Sequence, residues 1–287
     1  ASFDYYRAKN VKEAVSLLRK KRDAKILAGG HSLLPAMKLR VSSPAALIDI
    51  GGIKGLAEIK TTKSSLKIGA LTTYASIAAS KDVKKLCPIL AEAAAQIGDL
   101  QVRNRGTIGG SLVHADPAAD LPSVILALEA KLTATGSKGR RKIPAERFFV
   151  DFFTTALKSS EVLTEVAVPV LKAGMGGVYL KHRHPASSYA VVGVAAVVAL
   201  KNGVCSAARL VVGGAMPTPV VLTGTSEVLV GQKPTTQVIG EAASRVAEAI
   251  TFPLSDVYAS GEYRTHLATV MARRALAEAV KRARRKR

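Results

Sequence analysis

RNRGTIGGSLVHADPAADLP, residues 103–122, sets a glycine pair between hydroxyl side chains: Thr107, Ile108, Gly109, Gly110, Ser111. An earlier stretch, AGGHSLLPAMKLR at 28–40, repeats the device as Ala28, Gly29, Gly30, His31, Ser32. Each pair is expected to follow a strand and to open a helix. Paired glycines let the backbone take φ > 0 and turn successive N–H groups toward one focus, an anion-binding nest. Ser32, Thr107 and Ser111 add hydroxyl donors, so a diphosphate suits either loop. One GG alone is usually an ordinary turn. Two with the same flanks point to a dinucleotide gripped by separated loops. Neither is GxGxxG or a GxxxxGK loop, so the Rossmann and P-loop readings lose their warrant. Asp120 opens a helical pattern, and it suits an N-cap and an acceptor for a ribose or flavin group equally well.

Outward from these loops, the pattern is that of an α+β protein. Asn10 and Glu13 make a capping box before Val11, Ala14, Val15 and Leu18 at helical spacing, which predicts a helix over 11–21. A strand at 26–28, a helical turn at 33–39 and a strand at 47–50 complete a βαβ-like lobe over 1–55. Next come a strand at 66–71, helices at 74–80, 87–98 and 121–128, and strands at 131–135 and 161–170, with 136–142 as a polar turn. This order lacks the strict βαβ rhythm and argues for two subdomains, about 1–55 and 56–172. The glycine-rich run 172–177 marks a domain boundary. Beyond it, over 177–287, strands at 178–182, 189–200 and 204–214 and helices at 236–250 and 262–285 form a small antiparallel sheet backed by helices. Asn202-Gly203 is its hairpin turn.

Composition narrows the function. Of the 287 residues 48% are hydrophobic, enough for a sizeable core, yet the most apolar run, 189–200, is too short to span a bilayer. Phe3, Asp4 and Tyr5 begin no signal peptide of the ordinary kind, so a cytoplasmic location is the expectation. Cys87 and Cys205 lie far apart and the histidines are scattered, which leaves no iron–sulfur or zinc ligand set and places any metal chemistry on another chain. No triad, paired carboxylate site or activated cysteine is visible, and no catalytic residue is assigned. The net charge of +21 suggests anionic partners. Without a zinc finger or RNP box it licenses only non-specific nucleic-acid binding. Part of it sits in 281–287, expected as a solvated tail that aids docking to acidic partners or solubility.

Together AGGHSLLPAMKLR, RNRGTIGGSLVHADPAADLP and EYRTHLATVMARRAL at 262–276 resemble the FAD-binding medium subunit of carbon monoxide dehydrogenase and related xanthine dehydrogenase-type molybdenum hydroxylases. The likeness runs the whole length, with the blocks in the family's order and spacing. It implies a two-subdomain FAD-binding domain of vanillyl-alcohol-oxidase (PCMH) type over 1–172, then the small α/β C-terminal domain of carbon monoxide dehydrogenase flavoproteins over 177–287. It implies non-covalent FAD held by 26–33 (Ile26, Leu27, Ala28, Gly29, Gly30, His31, Ser32, Leu33) and by 107–111. Asp120 is a further implied contact, as are Ile97, Leu163 and Lys181, and Tyr189 matches an aromatic that covers one flavin face. The implied role is electron transfer within a dimer of heterotrimers. Electrons come from 2Fe–2S clusters on a small subunit, fed by a molybdenum cofactor on a large one, and leave to a quinone, NAD or oxygen. A self-contained flavin oxidase of the same fold is the alternative. For Glu262 and Arg264 the residues themselves suggest helix capping and ion pairing.

Overall fold

The computed structural model describes residues 2–285 and mixes helix and strand throughout. Strands Asp4–Arg7 (β1), Ala24–Leu27 (β2) and Ala46–Asp49 (β3) form a parallel sheet in the order β1-β3-β2, connected through helices Val11–Lys20 (α1) and Leu33–Lys38 (α2). The expected capping signal is present: the Asn10 side chain accepts from Glu13 N at 2.9 Å, and the Glu13 carboxylate accepts from Lys9 N at 2.8 Å. β1 escapes sequence reading because it is short and largely exposed on both faces, so it has no alternation to betray it.

The second sheet runs β4-β5-β10-β6-β7, built from Ile59–Thr61 (β4), Ser65–Gly69 (β5), Lys131–Gly136 (β6), Gly139–Pro144 (β7) and Val162–Pro169 (β10). A separate hairpin pairs Phe149–Asp151 (β8) with Thr154–Thr155 (β9). The stretch expected as a polar turn at 136–142 is mostly the edge strand β7, paired with β6 through Thr135↔Arg140 and Thr133↔Lys142. Cationic residues suit an edge that must not recruit another strand. Helices Tyr74–Ala79 (α3), Lys81–Leu86 (α4), Pro88–Ala95 (α5), Leu100–Arg105 (α6), Ile108–His114 (α7) and Asp120–Ala127 (α8) fill the long connection between β5 and β6. All eight residues of α8 are buried, and its leucines, valine and isoleucine belong to the largest apolar core.

The last sheet, β11-β12-β13-β14, contains Met175–Arg183 (β11), Ala190–Lys201 (β12), Val204–Gly213 (β13) and Val220–Val221 (β14). Asn202 (φ 53°) and Gly203 (φ 81°) make the expected hairpin, both in the left-handed region that a type I′ turn requires. Thr223–Leu229 (α9), Thr236–Ser244 (α10), Val246–Ala249 (α11) and Gly261–Arg285 (α12) cover one face. The helix expected over 236–250 is broken at Arg245. Not all of the glycine run at 172–177 is linker, because β11 begins at Met175. A side chain at Gly176 would strike the Ala279 carbonyl of α12, so this glycine lets the helix lie directly on the sheet.

The basic end is only partly the expected solvated tail as far as Arg285: Lys281, Arg284 and Arg285 are exposed, but the residues between them pack. Val280 and Ala283 are buried, and Arg282 donates to the Glu92 carboxylate at 2.9 and 2.8 Å, to Gly177 O at 2.9 Å and to Glu278 at 3.0 Å. Lys286 and Arg287, the remainder of that expectation, lie outside the described residues. No helix among the described residues is long and apolar enough to cross a membrane.

Candidate cofactor site

Because β1, β2 and β3 are parallel, their carboxyl ends share one edge, and the chain leaves β2 there into the loop 28–32. At that edge a cleft of about 270 Å³ is lined by Arg7, Asp49 and Gly51 from the strand ends, by Leu27 to Gly30, and by Leu34 and Arg105. A crevice outside the carboxyl ends of parallel strands is where open α/β sheets seat their ligands. Gly30 is left-handed at φ +77°, as the nest argument requires. The amides of Gly30, His31 and Ser32 donate to no other described residue, whereas the carbonyls of Gly30 and Ser32 start α2 by accepting from Leu34 N and Ala36 N at 3.1 Å. Three successive unspent N–H groups, the first of them in a cleft that Arg7 and Arg105 also line, are the donor chemistry a diphosphate calls for, so the residues present fit the group. Ile26, Leu27, Ala28 and Leu33 are half-buried walls around the loop. The exposed His31 ring has Nδ1 3.0 Å from Gly29 O.

The second glycine segment works differently from its expected nest. It follows helix α6, not a strand, and is itself the first turn of α7, with Thr107 as N-cap accepting from Gly110 N at 3.0 Å. Three of its other amides are also spent, Ile108 N on Thr72 O at 3.0 Å, Gly109 N on Ala70 O at 2.8 Å and Ser111 N on Thr107 O at 3.0 Å, while Thr107 N donates to no other described residue. Neither Gly109 nor Gly110 has positive φ. Gly109 is small because a Cβ there would lie 2.6 Å from both the Ala70 methyl and its carbonyl oxygen. Gly109 therefore serves close packing of α7 on the end of β5, whereas a side chain at Gly110 would meet only the Thr107 hydroxyl.

The two segments nevertheless meet. A Cβ on Gly29 would overlap the Arg105 carbonyl, and one on Gly106 would enter the Tyr74 ring. Tyr74, buried between Gly106 and Ser111, bonds the Ser111 hydroxyl, and burial pushes its phenol up to about 12 despite that bond. Packing thus runs from the cleft through Gly29 and Gly106 to Tyr74, whose phenol is also raised by the charges of Tyr189 and Asp120.

Around Asp120 the packing is polar and closed. Asp120 opens α8 without capping it. Tyr179 and Lys181, two apart on β11 and so on one face, both reach it: the Tyr179 hydroxyl donates at 2.7 Å and the Lys181 ammonium at 3.0 Å. Burial pushes the Asp120 carboxyl up and the Lys181 ammonium down, and their mutual attraction opposes both shifts. Lys181 also donates to Gln96 O at 3.0 Å, next to half-buried Ile97. Tyr189, 45% exposed, stands at the start of β12, where Ala190 N donates to Ala118 O at 3.1 Å. Leu163 is not brought to this surface, since its side chain is buried in the core.

Sequence reasoning missed Arg7, Asp49, Arg105 and Tyr74. Arg105 stood inside the quoted motif, and its charge beside Gly106 was the available signal; Arg7 and Asp49 are marked only by the strand ends they occupy, and Tyr74, at the start of α3, by nothing in the sequence. At the end of the C-terminal sheet where Tyr189 enters β12, Arg264 meets the structural role expected of it. It is 6% exposed, pairs with Asp256, and donates to Val191 O and Gly214 O at 2.6 and 2.8 Å.

A parallel-sheet cradle for a diphosphate, joined by packed helices to an antiparallel sheet that carries an exposed tyrosine, defines a dinucleotide-binding flavoprotein. The family described as "FAD binding domain in molybdopterin dehydrogenase" matches residues 1–171, and "CO dehydrogenase flavoprotein C-terminal domain" matches 178–279. The chain belongs to this family of FAD-binding subunits. It is 41% identical, over 99% of its length and 96% of the relative's, to the 6-hydroxypseudooxynicotine dehydrogenase complex subunit alpha of Paenarthrobacter nicotinovorans. To the carbon monoxide dehydrogenase medium chain of Hydrogenophaga pseudoflava it is 40% identical, over 96% of each chain. Among solved structures, carbon monoxide dehydrogenase from Hydrogenophaga pseudoflava superposes with a TM-score of 0.96 at 39% identity, covering 98% of both chains.

Proposed function

We propose that the chain is the FAD-carrying electron-transfer subunit of a molybdenum hydroxylase complex, with one FAD bound non-covalently per polypeptide. The observation that carries this is the cleft, which Gly30 lines together with Arg7 and Arg105, and from which the chain continues through His31 and Ser32 with three successive unspent amides. These residues would hold the diphosphate, and the second segment would contribute shape through Thr107, Gly109, Gly110 and Ser111. Asp120, Ile97, Lys181 and Tyr189 would surround the far end, with the Tyr189 ring over one flavin face and Leu163 behind it in the core. Bound FAD supplies the exchange between one-electron and two-electron carriers. The protein's part is to hold it without a catalytic residue of its own, exclude water from one face and present the other.

Relatives are named as medium chains or subunits of dehydrogenases, which supports an assembly with a small iron–sulfur subunit and a large molybdenum subunit. We place the clusters and the molybdenum cofactor there, with quinone, NAD or oxygen as the final acceptor, and expect a cytoplasmic dimer of heterotrimers. The PCMH-type division into subdomains 1–55 and 56–172, followed by a domain over 177–287, is supported by the change from a parallel to an antiparallel sheet near Gly55 and by the bounds of the two family matches. The test is reconstitution: purified chain should take up one FAD and release it all on acid precipitation. A yellow pellet would implicate His31 in a covalent bond, and no FAD uptake would defeat the assignment. Reduction of the bound flavin by a small substrate without partner subunits would favour a self-contained oxidase.

A further inference from the structure

Ile97, Asp120, Lys181 and Tyr189 come from distant parts of the chain, yet all are tied to one ammonium group. The Lys181 side chain is 1% exposed. An ammonium has three N–H donors. Those of Lys181 go to Gln96 O at 3.0 Å, the Asp120 carboxylate at 3.0 Å and Ser188 O at 2.8 Å, so none is left for a ligand. Both carboxylate oxygens of Asp120 are engaged as well, Oδ1 by the Tyr179 hydroxyl at 2.7 Å and Oδ2 by Lys181 at 3.0 Å.

Each acceptor marks a different segment. The Gln96 carbonyl closes α5 and precedes Ile97, Asp120 opens α8, and Ser188 directly precedes Tyr189. Ser188 holds φ +61°, a left-handed conformation that a residue other than glycine adopts at a cost. It does so inside a closed turn, where Ser188 N donates to His184 O at 2.9 Å and His184 N to Tyr189 O at 2.8 Å. Its other bonds are local, with Ser187 N and Ser187 Oγ on His184 Nδ1 at 3.3 and 3.2 Å and Tyr189 N on Ser187 Oγ at 3.4 Å, whereas the Lys181 bond ties the turn to the body of the protein. Pro185, Ala186 and Ser187 are exposed, and the His184 ring packs on that of Tyr258, with centroids 4.5 Å apart.

We infer that Lys181 and Asp120 are positioning residues: a buried pin that fixes the 184–189 turn, and with it Tyr189, so that they act on the cofactor through Tyr189 and not by side-chain contact. The link to the cofactor rests on the proposed place of Tyr189 over the flavin, whereas the pin itself does not. An ion pair that served only global stability would leave the turn no looser than the rest of the fold when removed.

Two measurements on the full chain separate these roles. Without FAD, hydrogen exchange at the amides of 184–189 should speed by about tenfold or more in Lys181→Met, while the amides of β13 keep their rates. The neutral pair Asp120→Asn with Lys181→Met leaves no unpaired buried charge, and it carries the same test should the single variant not fold. Unchanged exchange at 184–189, or an equal rise in β13, overturns the pin. With FAD bound, iodide should quench flavin fluorescence more strongly in the pin variant and in Tyr189→Ala. Adding the pin change to Tyr189→Ala should bring no further increase. Additive increases would mean that the pair reaches the flavin by another route and would sink the inference. Unchanged quenching in Tyr189→Ala, with faster exchange in the pin variant, would remove Tyr189 from the flavin and leave the pin holding the turn.

Discussion

Replacing Gly29 by alanine tests whether the cofactor cradle depends on the contact between the loop 28–32 and the end of α6. The new methyl would overlap the Arg105 carbonyl oxygen and lie 2.8 Å from Arg105 C and 3.1 Å from Gly106 Cα. Carbon atoms rest at about 3.5–4.0 Å and the overlap with the carbonyl oxygen is tighter still, so one segment must retreat by more than about 1 Å. Overpacking of this kind costs about 1–3 kcal/mol. Arg105 and Gly106 are braced by Tyr74 N donating to Gly106 O at 3.1 Å and Gly106 N to Val102 O at 2.7 Å, whereas Gly30, His31 and Ser32 donate no amide bond. The loop should therefore move, carrying the three cradle amides with it. If the whole cost falls on binding, the Kd for FAD rises by about 5–150-fold. Titrating FAD into cofactor-free protein and following flavin fluorescence measures this, with circular dichroism melting as a check on the fold. Gly110→Ala is the control. Gly110 has helical geometry, and its new methyl would press only on the Thr107 hydroxyl at 2.9 Å, so binding should change much less. Wild-type affinity in Gly29→Ala together with lost affinity in Gly110→Ala would refute the reasoning, because the second segment would then be the anion site.

Other perturbations read other parts of the fold. The Glu161 carboxylate is held below its usual range, chiefly by the Arg141 guanidinium, which reaches it at 2.8 and 2.7 Å. Since the folded group is the stronger acid, this pair stabilises above the ordinary carboxylate range and the contribution fades as pH falls through the depressed value. Glu161→Gln should therefore lose about 1 kcal/mol at pH 7, after allowing for solvent screening of half-exposed Arg141. The gap to wild type should close in acid, as melting curves at a series of pH values will show. Arg282→Ala removes the fork to Glu92 and should cost about 1–2 kcal/mol in thermal or urea unfolding while FAD content stays at one per chain; unaltered stability would return this end to a solvated role. Gly176→Val forces a side chain onto the Ala279 carbonyl and should yield insoluble or strongly destabilised protein, detectable in the soluble fraction after expression.

Periodic segments were readable from sequence because burial on one side leaves a pattern. The strands of the C-terminal sheet, the Asn202-Gly203 hairpin and α1 with its capping residues all lie close to where alternation and turn chemistry put them. Where sequence misled, one residue type had two physical uses. A glycine pair signals positive φ or close approach, and sequence does not separate them: Gly30 is the first kind, Gly29, Gly109 and Gly176 the second. The cations of β7 looked like a turn because an edge strand needs no apolar face. Arg282 looked like part of a solvated tail because its partner, Glu92, lies far off in the chain. Within the candidate site, the motifs marked the loops, and the whole-length resemblance marked Asp120, Lys181 and Tyr189. Neither marked Arg7 or Tyr74, which long-range packing alone brings there.

Helix α8 belongs by sequence to the FAD-binding half, yet Ser123 sits where a side chain at Gly213 of β13 would have to go, and the loop before it bonds to the C-terminal sheet through Gly214 N on Pro117 O at 2.9 Å. A helix wrapped in protein on every side cannot be assigned to one half of a molecule. Cutting the chain near residue 172 would strip α8 of part of its cover and bare an apolar surface of the kind that drives aggregation. The two sequence families should accordingly melt in one transition, and their fragments should recover solubility only when expressed together. The border between the two family matches should therefore leave no mark in the unfolding of the protein.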